Sequence, residues 1–192
     1  MKKIVLATSN AKKIIEMENI LKNYSINVDK VPDTFNPDET GTTFEENAYI
    51  KAYEAAKLTN LPSLADDSGL VVDALDGKPG IYSSRYESTD EKRINRILNE
   101  LSEYKNNERT ARFVCAMALV KPDGETLFSC KGICEGIITA TRSGSGGFGY
   151  DPIFHVTDKN KTMAELTLEE KNLVSHRGKA LKQMLEWMKN NF

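Results

Sequence analysis

The chain has 192 residues, which is enough for one domain, or for one domain with two lobes around a cleft. With 40% hydrophobic and 28% charged residues, it has the composition of a globular protein that buries a core, and its formal net charge of −2 argues against sequence-independent binding to long nucleic acids. No stretch approaches the length of a membrane span, and the apolar run at 4–7 is too short for a signal-peptide core. We therefore expect a cytoplasmic protein with no nucleic-acid partner and no membrane partner.

Strand and helix signals alternate along the chain without internal repeats, and this order favours an α/β fold. The predicted elements begin with a buried strand at 3–7, a helix ending near Lys22, a loop at 32–41, a helix from 42 or 43 to about 58, and a strand ending at the acids 66 and 67. A turn at 76–80, a helix at 91–101 and a hairpin of 111–120 and 126–130 follow. The last elements are a further strand pattern at 133–140, a glycine-rich loop at 143–150, a short strand at 152–156 and a helix from about 178 to 188. The first helix rests on the spacing of Ile14, Met17 and Leu21. The second rests on a capping-box pattern, in which Thr42 or Thr43 precedes an acid by three residues.

Three cysteines, Cys115, Cys130 and Cys134, are an odd number and form no CxxC pair. His155 and His176 are the two histidines of the chain, which does not favour a zinc site. We interpret the cysteines as reduced and structural, because thiols in apolar runs behave as small hydrophobic groups.

The most informative segment places two acids side by side, Asp66 and Asp67, between an apolar run and Ser68. Like charges at the end of a buried strand repel each other and lose hydration, so folding alone does not favour them. A divalent cation would remove that cost, and acid pairs suit Mg²⁺ that is held jointly with substrate phosphates. The alternative is a solvated turn, because Asp, Ser and Gly are common turn residues.

The first strand passes directly into a helix through the residues TSNAKK at 8–13. A helix N-terminus after a buried strand offers backbone N–H groups and a positive dipole to an anion, and Lys12 and Lys13 add charge. The pattern is not a P-loop, because it lacks GxxxxGK[ST]. The alternative is a plain Ser/Asn helix cap with solvated lysines.

The segment GSGGFG at 144–149 matches GxGxxG, but Pro152 argues against the helix that a dinucleotide-binding fold requires after it. We interpret the segment as a flexible loop that sets Phe148 and Tyr150 against a ligand, since aromatic faces suit stacking on a purine base. The alternative is a mobile surface turn.

Several isolated side chains are further candidate binding or metal-ligating residues, and each also has a simpler interpretation. Arginine and histidine donors at His176 and Arg177 could bind acceptor atoms on a base edge, and Lys171 could bind a phosphate or the base. Lys51, among alanines on its predicted helix, could reach into a cleft, and Glu39 could be a third metal ligand. The alternative for each of them is a solvated surface residue.

Taken together, these segments resemble one family, the inosine triphosphate pyrophosphatases, also called Ham1-like or non-canonical purine NTP pyrophosphatases. The matching stretches are LATSNAKK, ETGTTFEENAYIKA, ADDSGLVVDAL with GKPGIYSSRY, GGFGYDPIF, and KTMAELTLEEKNLVSHRGKAL. They occur in the family's order and cover essentially the whole chain. One departure is Ser9, where many members have glycine, and it bears only on fine details of phosphate geometry.

The resemblance implies a single two-lobed domain over residues 1–192, with a long mixed β-sheet flanked by helices, a nucleotide cleft between the lobes, and a homodimer. It implies Mg²⁺-dependent hydrolysis of ITP, dITP and XTP to the monophosphate and pyrophosphate, which removes these nucleotides from the pool. Asp67 is the implied catalytic acid–base and metal residue, with Glu39 and Asp66 in the metal-and-water shell and Lys51 facing the phosphates. The implied substrate-binding residues are Thr8, Ser9, Asn10, Ala11, Lys12, Lys13, Ser68, Phe148, Gly149, Tyr150, Asp151, Lys171, His176 and Arg177.

Selectivity for such bases follows if Arg177 or His176 donates to the C6 carbonyl, because the amino group of adenine would then face another donor. Two other functions stay open at this point. One is a nucleoside triphosphatase that releases orthophosphate, and the other is a non-catalytic nucleotide sensor or RNA-binding module on the same fold.

Overall fold

A computed structural model of the protein describes residues 3–21 and 27–191. The strands are β1 (Lys3–Leu6), β2 (Asn27–Lys30), β3 (Ser63–Val72), β4 (Thr110–Val120), β5 (Thr126–Ile138), β6 (Phe154–Val156) and β7 (Lys161–Thr162). The α-helices are α1 (Ala11–Leu21), α2 (Phe44–Thr59), α3 (Asp90–Glu100), α4 (Leu168–Val174) and α5 (His176–Asn191). The seven strands form one sheet in the order β2-β1-β3-β4-β5-β6-β7. Strand β1 pairs in parallel with β2 and β3, whereas β6 pairs antiparallel with β5 and β7, so the predicted α/β fold with a mixed sheet is confirmed.

The chain divides into two compact units, and β3, β4 and β5 contribute residues to both. The first unit contains residues 1–67, 115–132 and 176–192, and the second contains residues 68–114 and 133–175. The predictions of a single two-lobed domain and of a nucleotide cleft stay predictions. No helix within the described ranges combines the length and the apolar character needed to cross a membrane.

Strand β1 of the first unit is buried on both faces, because its successive side chains point to opposite sides of the sheet. Ile4 and Leu6 pack with the apolar residues of α1 and α5, including Met17 and Leu181. Val5 packs with the alanines of α2 on the other face. In the first unit, α1 and α5 therefore cover one face of the sheet and α2 covers the other.

Helix α2 begins where the capping box predicts. Thr43 is the N-cap residue, and its hydroxyl accepts a hydrogen bond from the Glu46 N–H at 3.1 Å. The Glu46 carboxylate accepts in return from the Thr42 N–H at 2.6 Å. The buried face of the helix includes Ala48 and Ala52, whose small side chains allow α2 to lie close to the sheet.

The second unit has its own apolar core between its part of the sheet and α3. Ile94 and Ile97 of α3 are buried there, and Phe113 of β4 lies against Phe154 of β6 with the ring centroids 4.4 Å apart. Thr89 caps α3 by accepting a hydrogen bond from the Lys92 N–H at 3.2 Å. The core surrounds the segment at 150–154 that follows the glycine-rich loop.

Several predicted boundaries need correction. The acids 66 and 67 lie within β3 rather than at the end of a strand, and both are buried, so the solvated-turn alternative is wrong. Strand β2 at 27–30 was not predicted, and the predicted helix end at Lys22 lies outside the described residues. The predicted strand at 152–156 begins with a 3₁₀ turn, and only its second half is extended.

Candidate active site

The segment between β1 and α1 forms a helix cap of its own. The Asn10 side-chain oxygen accepts from the N–H groups of Lys12 at 3.0 Å and Lys13 at 3.3 Å. Thr8 accepts from the Asn10 N–H through its hydroxyl at 3.2 Å, while Ser9, Ala11 and Lys12 are exposed. The predicted Asn cap is therefore present, but Lys13 is half-buried against Asp66 rather than solvated, and phosphate binding by residues 8–13 stays a prediction.

Asp66 lies at the centre of a buried ionic group on the face of the sheet that α1 and α5 cover. Its Oδ2 is 2.9 Å from the Lys13 Nζ and 3.2 Å from the Arg177 Nη2. The Arg177 Nη1 donates in turn to the Glu16 Oε2 at 2.5 Å. Burial opposes the charged form of Asp66, but Lys13, Arg177 and Lys51 outweigh it and hold the pKa of this carboxyl far below its usual range. Asp66 is therefore a permanent anion.

Asp67 belongs to a second group, which faces α2. Its Oδ1 is 3.0 Å from the Lys51 Nζ, and the same ammonium lies 2.7 Å from the Glu39 Oε1. The Asn47 Nδ2 donates to the Asp67 Oδ2 at 3.3 Å. The structure thus brings together the three residues that the sequence assigned to metal binding and phosphate binding on this side, namely Asp67, Glu39 and Lys51.

The two neighbouring acids differ in charge behaviour because β3 directs them to opposite faces of the sheet. Leu64 and Asp66 point toward α1 and α5, whereas Ala65 and Asp67 point toward α2. Burial raises the pKa of Asp67 above its ordinary value, and the opposing effect of Lys51 and Lys13 does not cancel that shift. Burial opposes the charge of Lys51, but Asp67, Asp66 and Glu39 raise the pKa of this ammonium overall. Asp67 is therefore the acid of the pair that is closer to exchanging a proton.

The prediction that Asp66 shares a metal-and-water shell with Asp67 stays a prediction. Its Oδ2 is engaged by two cationic side chains, and its Oδ1 is buried without a hydrogen-bond partner among the described residues. The structure assigns Asp66 the role of holding Lys13 and Arg177 in place.

The predicted base-reading residues at the start of α5 are also buried. Arg177 is 2% exposed, with its guanidinium against Asp66 and Glu16, and His176 is 6% exposed. Reading of a base edge by these two residues stays a prediction, while the ionic role of Arg177 is what the structure describes.

The candidate residues of the second unit form their own buried pair. The Lys171 Nζ lies 2.7 Å from the Asp151 Oδ2 and 5.0 Å from the centre of the Phe148 ring. Asp151 also accepts from the Phe148 N–H at 2.8 Å, and the Gly149 N–H donates to Asp90 at 3.0 Å. The predicted loop residues 148, 149 and 151 are thus held in a defined conformation, and Phe148 keeps a partly exposed ring.

Tyr150 does not lie where a base could stack on it. Its side chain is 4% exposed in the core of the second unit, and its hydroxyl donates to the Ser83 carbonyl at 2.9 Å. The predicted stacking role of this side chain is therefore replaced by a structural one. Ser68, in β3, is half-buried, and its predicted contact with substrate stays a prediction.

Two residues of the site were not predicted from the sequence. Glu16 holds Arg177, and Asn47, which is 0% exposed, holds Asp67. Asn47 lies four residues before Lys51, which puts both on one face of α2. Glu16 likewise lies three residues after Lys13 on α1. Polar residues at helical spacing beside a buried apolar stripe were the available signal in both cases.

Cys115, Cys130 and Cys134 form no disulfide, and Cys115 and Cys134 are buried. The Cys115 Sγ lies 3.9 Å from the Asp66 Oδ2, and burial together with this carboxylate raises the pKa of the thiol well above its ordinary value. Cys115 is therefore a neutral packing residue beside the ionic group.

Comparison with known proteins places the chain in a family. The family model described as Ham1 family matches residues 4–187. The dITP/XTP pyrophosphatase of Halalkalibacterium halodurans is 50% identical over 98% of this chain and 100% of its own length. The dITP/XTP pyrophosphatase of Escherichia coli strain K12 is 45% identical over 99% of this chain and 100% of its own length.

Solved structures agree with this result. A HAM1 protein from Coxiella burnetii is 43% identical and superposes with a TM-score of 0.90 over 99% of this chain and 100% of its own. The Ham1 protein of Staphylococcus aureus is 41% identical, with a TM-score of 0.88 over the full length of both chains. Both the sequence and the fold match along essentially the whole length, and the chain therefore belongs to the Ham1 family.

Proposed function

We propose that this protein hydrolyses dITP, XTP and ITP to the corresponding nucleoside monophosphate and pyrophosphate. The observation that carries the proposal is the group formed by Asp67, Lys51 and Glu39, in a family whose curated relatives are named dITP/XTP pyrophosphatase. A carboxylate with a raised pKa beside a fixed ammonium supplies the two things that pyrophosphate release requires. These are a proton acceptor for the attacking water and positive charge for the phosphates.

The reaction adds water to the α-phosphorus, and the β,γ-diphosphate leaves as pyrophosphate. Asp67 accepts the proton of that water, and its raised pKa suits this role because a base works best when its pKa approaches the working pH. Asn47 orients Asp67 by donating to its second oxygen. Lys51, with a pKa that keeps it charged, balances negative charge on the phosphate oxygens.

Lys12 and Lys13 at the start of α1 add positive charge. Lys13 is held by Asp66, so its ammonium is fixed before substrate arrives, whereas Lys12 lies exposed at the surface. Fixed charges lose no reorganisation energy when the phosphates bind. We therefore expect Lys13 to stabilise the phosphates of bound substrate, and Lys12 to affect mainly the rate at which the nucleotide associates.

The residues around Asp67 fit a magnesium ion. Asp67 and Glu39 each place a hard carboxylate oxygen on the same cation, the Lys51 ammonium, so the two acids lie close enough to share a metal ion beside it. Mg²⁺ is commonly held by one or two carboxylates together with substrate phosphates. No group of three or more histidine, cysteine, aspartate or glutamate side chains suited to a metal exists within residues 3–21 and 27–191, so the remaining ligands would be water and phosphate. When bound, the ion would neutralise charge on the triphosphate oxygens. Asp67 and Glu39 are the residues that would hold it.

Selectivity against ATP follows from the base itself. Hypoxanthine and xanthine present a C6 carbonyl acceptor, whereas adenine presents a C6 amino donor. A donor of the protein facing that position would be left unpaired with adenine, which costs about 1–3 kcal/mol, or roughly fivefold to over a hundredfold in selectivity. His176 and Arg177 remain the predicted donors.

Product analysis tests the proposal. The purified protein is incubated with dITP, XTP, ITP, ATP and GTP, each with Mg²⁺ and with a chelator, and the products are identified by ³¹P NMR. We expect pyrophosphate from the first three nucleotides and none in the chelator samples. Orthophosphate as the product would favour a simple triphosphatase, and binding without turnover would favour a nucleotide sensor. The predicted homodimer and the predicted cytoplasmic location stay predictions.

A further inference from the structure

Strand β5 meets the first turn of α5 at Gly132, a residue to which no role has been assigned so far. Gly132 is buried, and it is not among the glycines with positive φ, so its backbone conformation does not require glycine. A methyl group on its Cα would lie 2.0 Å from the carbonyl oxygen of His176 and 2.6 Å from the amide nitrogen of Ala180. The absence of a side chain is therefore what allows the helix to lie where it does.

The two backbone atoms that a side chain at position 132 would meet belong to one hydrogen bond of the helix. In an α-helix the N–H of residue 180 bonds to the carbonyl of residue 176, so Gly132 packs against a hydrogen bond in the first turn of α5. His176 and Arg177 are the first two residues of that helix. Any group larger than hydrogen at position 132 must therefore displace the turn that carries Arg177.

Other contacts show that α5 rests on this part of β5. The Cys130 Sγ lies 3.2 Å from the Ala180 carbonyl, and the Gln183 Nε2 donates to the Lys131 carbonyl at 2.9 Å. Residues 130 and 132 lie on the same face of β5 because side chains alternate along a strand. Residues 130–132 thus support the N-terminal half of α5, and the backbones of strand and helix come closest at Gly132.

We propose that Gly132 is a positioning residue that sets the place of the Arg177 guanidinium, and through it the ion pair of Lys13 with Asp66, the residue next to Asp67 in β3. The hydrogen bonds from Arg177 to Asp66 are 3.2 and 3.3 Å long, so a small outward shift of the helix breaks them. Asp66 then loses one of its cations, and Lys13 loses its fixed position. This inference rests on the proposed function for its kinetic consequence, but not for its structural consequence.

The test compares Gly132→Ala with Gly136→Ala, a matched control on the same strand. Gly136 is also buried, and a methyl group there would lie 2.4 Å from a backbone carbonyl oxygen, that of His155 in β6. The added methyl group at 136 also meets the Phe154 ring at 2.6 Å, so both variants strain close contacts, but only Gly132→Ala touches α5. We expect kcat/KM for dITP to fall about 10–100-fold in Gly132→Ala, as for a small misplacement of a charged group, and to stay within about twofold in Gly136→Ala.

Two readouts separate positioning from general destabilisation. In a double-mutant cycle with Arg177→Lys, Gly132→Ala should change kcat/KM by less than about twofold once the guanidinium is absent, because its effect is transmitted through that group. In ¹⁵N NMR spectra, the Arg177 Nε–H signal, identified by its loss in Arg177→Lys, should shift and exchange faster in Gly132→Ala and stay unchanged in Gly136→Ala. Multiplicative effects in the cycle, or an unchanged Arg177 signal in Gly132→Ala, would overturn the proposal.

If Gly132→Ala shows no cooperative thermal unfolding, Cys130→Val replaces it, because its added branch presses on the Ala180 carbonyl from the same face of β5. The same changes, smaller in size, are then expected, and their absence counts against the proposal. If the wild-type protein releases no pyrophosphate, the proposed function is wrong, while the NMR comparison still decides whether Gly132 positions Arg177.

Discussion

Asp67 and Asp66 are neighbours in sequence but different in chemistry, and this difference is the main result at the scale of single residues. Asp67 has a raised pKa beside Lys51 and Glu39, whereas Asp66 has a strongly lowered pKa between Lys13 and Arg177. The alternation of β3 separates them, so one acid can exchange a proton while the other stays charged. Substitution of Asp67 should therefore mainly lower the rate of hydrolysis, whereas substitution of Asp66 should mainly lower the free energy of unfolding.

Asp67→Asn should leave the fold intact and lower kcat for dITP about 10²–10⁴-fold, the range that loss of a general base typically produces. The amide keeps the shape of the side chain but cannot accept the proton of the attacking water. Steady-state kinetics and a thermal unfolding curve measure the two effects. Asp29→Asn, at an exposed acid paired with Lys3, is the control and should change neither. Near-normal turnover in Asp67→Asn would remove Asp67 from its role.

Asp66→Asn should instead lower the free energy of unfolding by about 3–5 kcal/mol at pH 7, because it leaves Lys13 and Arg177 buried without their shared anion. Urea denaturation measures this difference. A loss no larger than that of Asp29→Asn would mean that the ionic group does not stabilise the fold.

The contribution of Asp66 should also depend on pH in a defined direction. Folding lowers the pKa of Asp66 below its ordinary value of 3.8, so the unfolded chain binds the proton more readily than the folded protein. The stabilisation is therefore complete above pH 3.8 and decreases as the pH falls below that value. Urea titrations between pH 7 and pH 3 measure the free energy of unfolding of wild type and of Asp66→Asn. The difference between the two free energies should be constant and should become smaller only at the acidic end. A difference that narrows as the pH rises would contradict the assignment.

At the scale of secondary structure elements, α2 is the helix that holds the proposed base in place, since Asn47 and Lys51, which both contact Asp67, lie on it. Its N-cap, Thr43, satisfies one of the free N–H groups of the first turn. Thr43→Ala should lower the free energy of unfolding by about 1 kcal/mol. Thr59→Ala, at the other end of the same helix, removes a hydroxyl that donates to the Ala55 carbonyl at 2.7 Å, and it should cost little because alanine favours helix. Equal losses in the two variants, measured by urea denaturation, would argue against the capping role.

Elements with a clear periodicity or cap could be predicted from the sequence, and elements stabilised by distant residues could not. The capping box located α2 to within a residue or two, and the turn at 121–125 joins two neighbouring strands, β4 and β5, as the hairpin prediction required. Strand β2, with the sequence NVDK, has no alternating apolar pattern and is held by its parallel pairing with β1. The acids of β3 were placed at a strand end because their partners on α1, α2 and α5 cannot be located from local sequence.

The same reasoning explains which part of the site could be predicted. Asp67, Lys51 and Glu39 were assigned to one site, and the structure brings them together within 3.0 Å contacts around one ammonium. Arg177 and Tyr150 were assigned to the base, but their partners Glu16 and Ser83 lie far away along the chain, so their burial could not be foreseen. Residue type and spacing predict which groups share a site. They do not predict which of those groups are already occupied by the protein itself.

At the scale of the whole molecule, the sequence predicted an α/β fold with a mixed sheet, and the structure confirms it with parallel pairing around β1 and antiparallel pairing around β6. Within the first unit, this sheet holds charged groups on both of its faces. Lys13 and Arg177 surround Asp66 on one face, and Lys51 lies against Asp67 on the other. One face of the sheet therefore holds fixed charges, and the other carries Asp67, the proposed proton acceptor.

The most direct test of this account is hydrolysis of dITP in water enriched in ¹⁸O, followed by mass spectrometry of both products. Attack of water on the α-phosphorus, with Asp67 as base, predicts one ¹⁸O atom in the nucleoside monophosphate and none in the pyrophosphate. Asp67→Asn should slow this labelling in proportion to its loss of turnover. Label in the pyrophosphate, or in released orthophosphate, would show that water attacks another phosphorus and would contradict the proposed reaction.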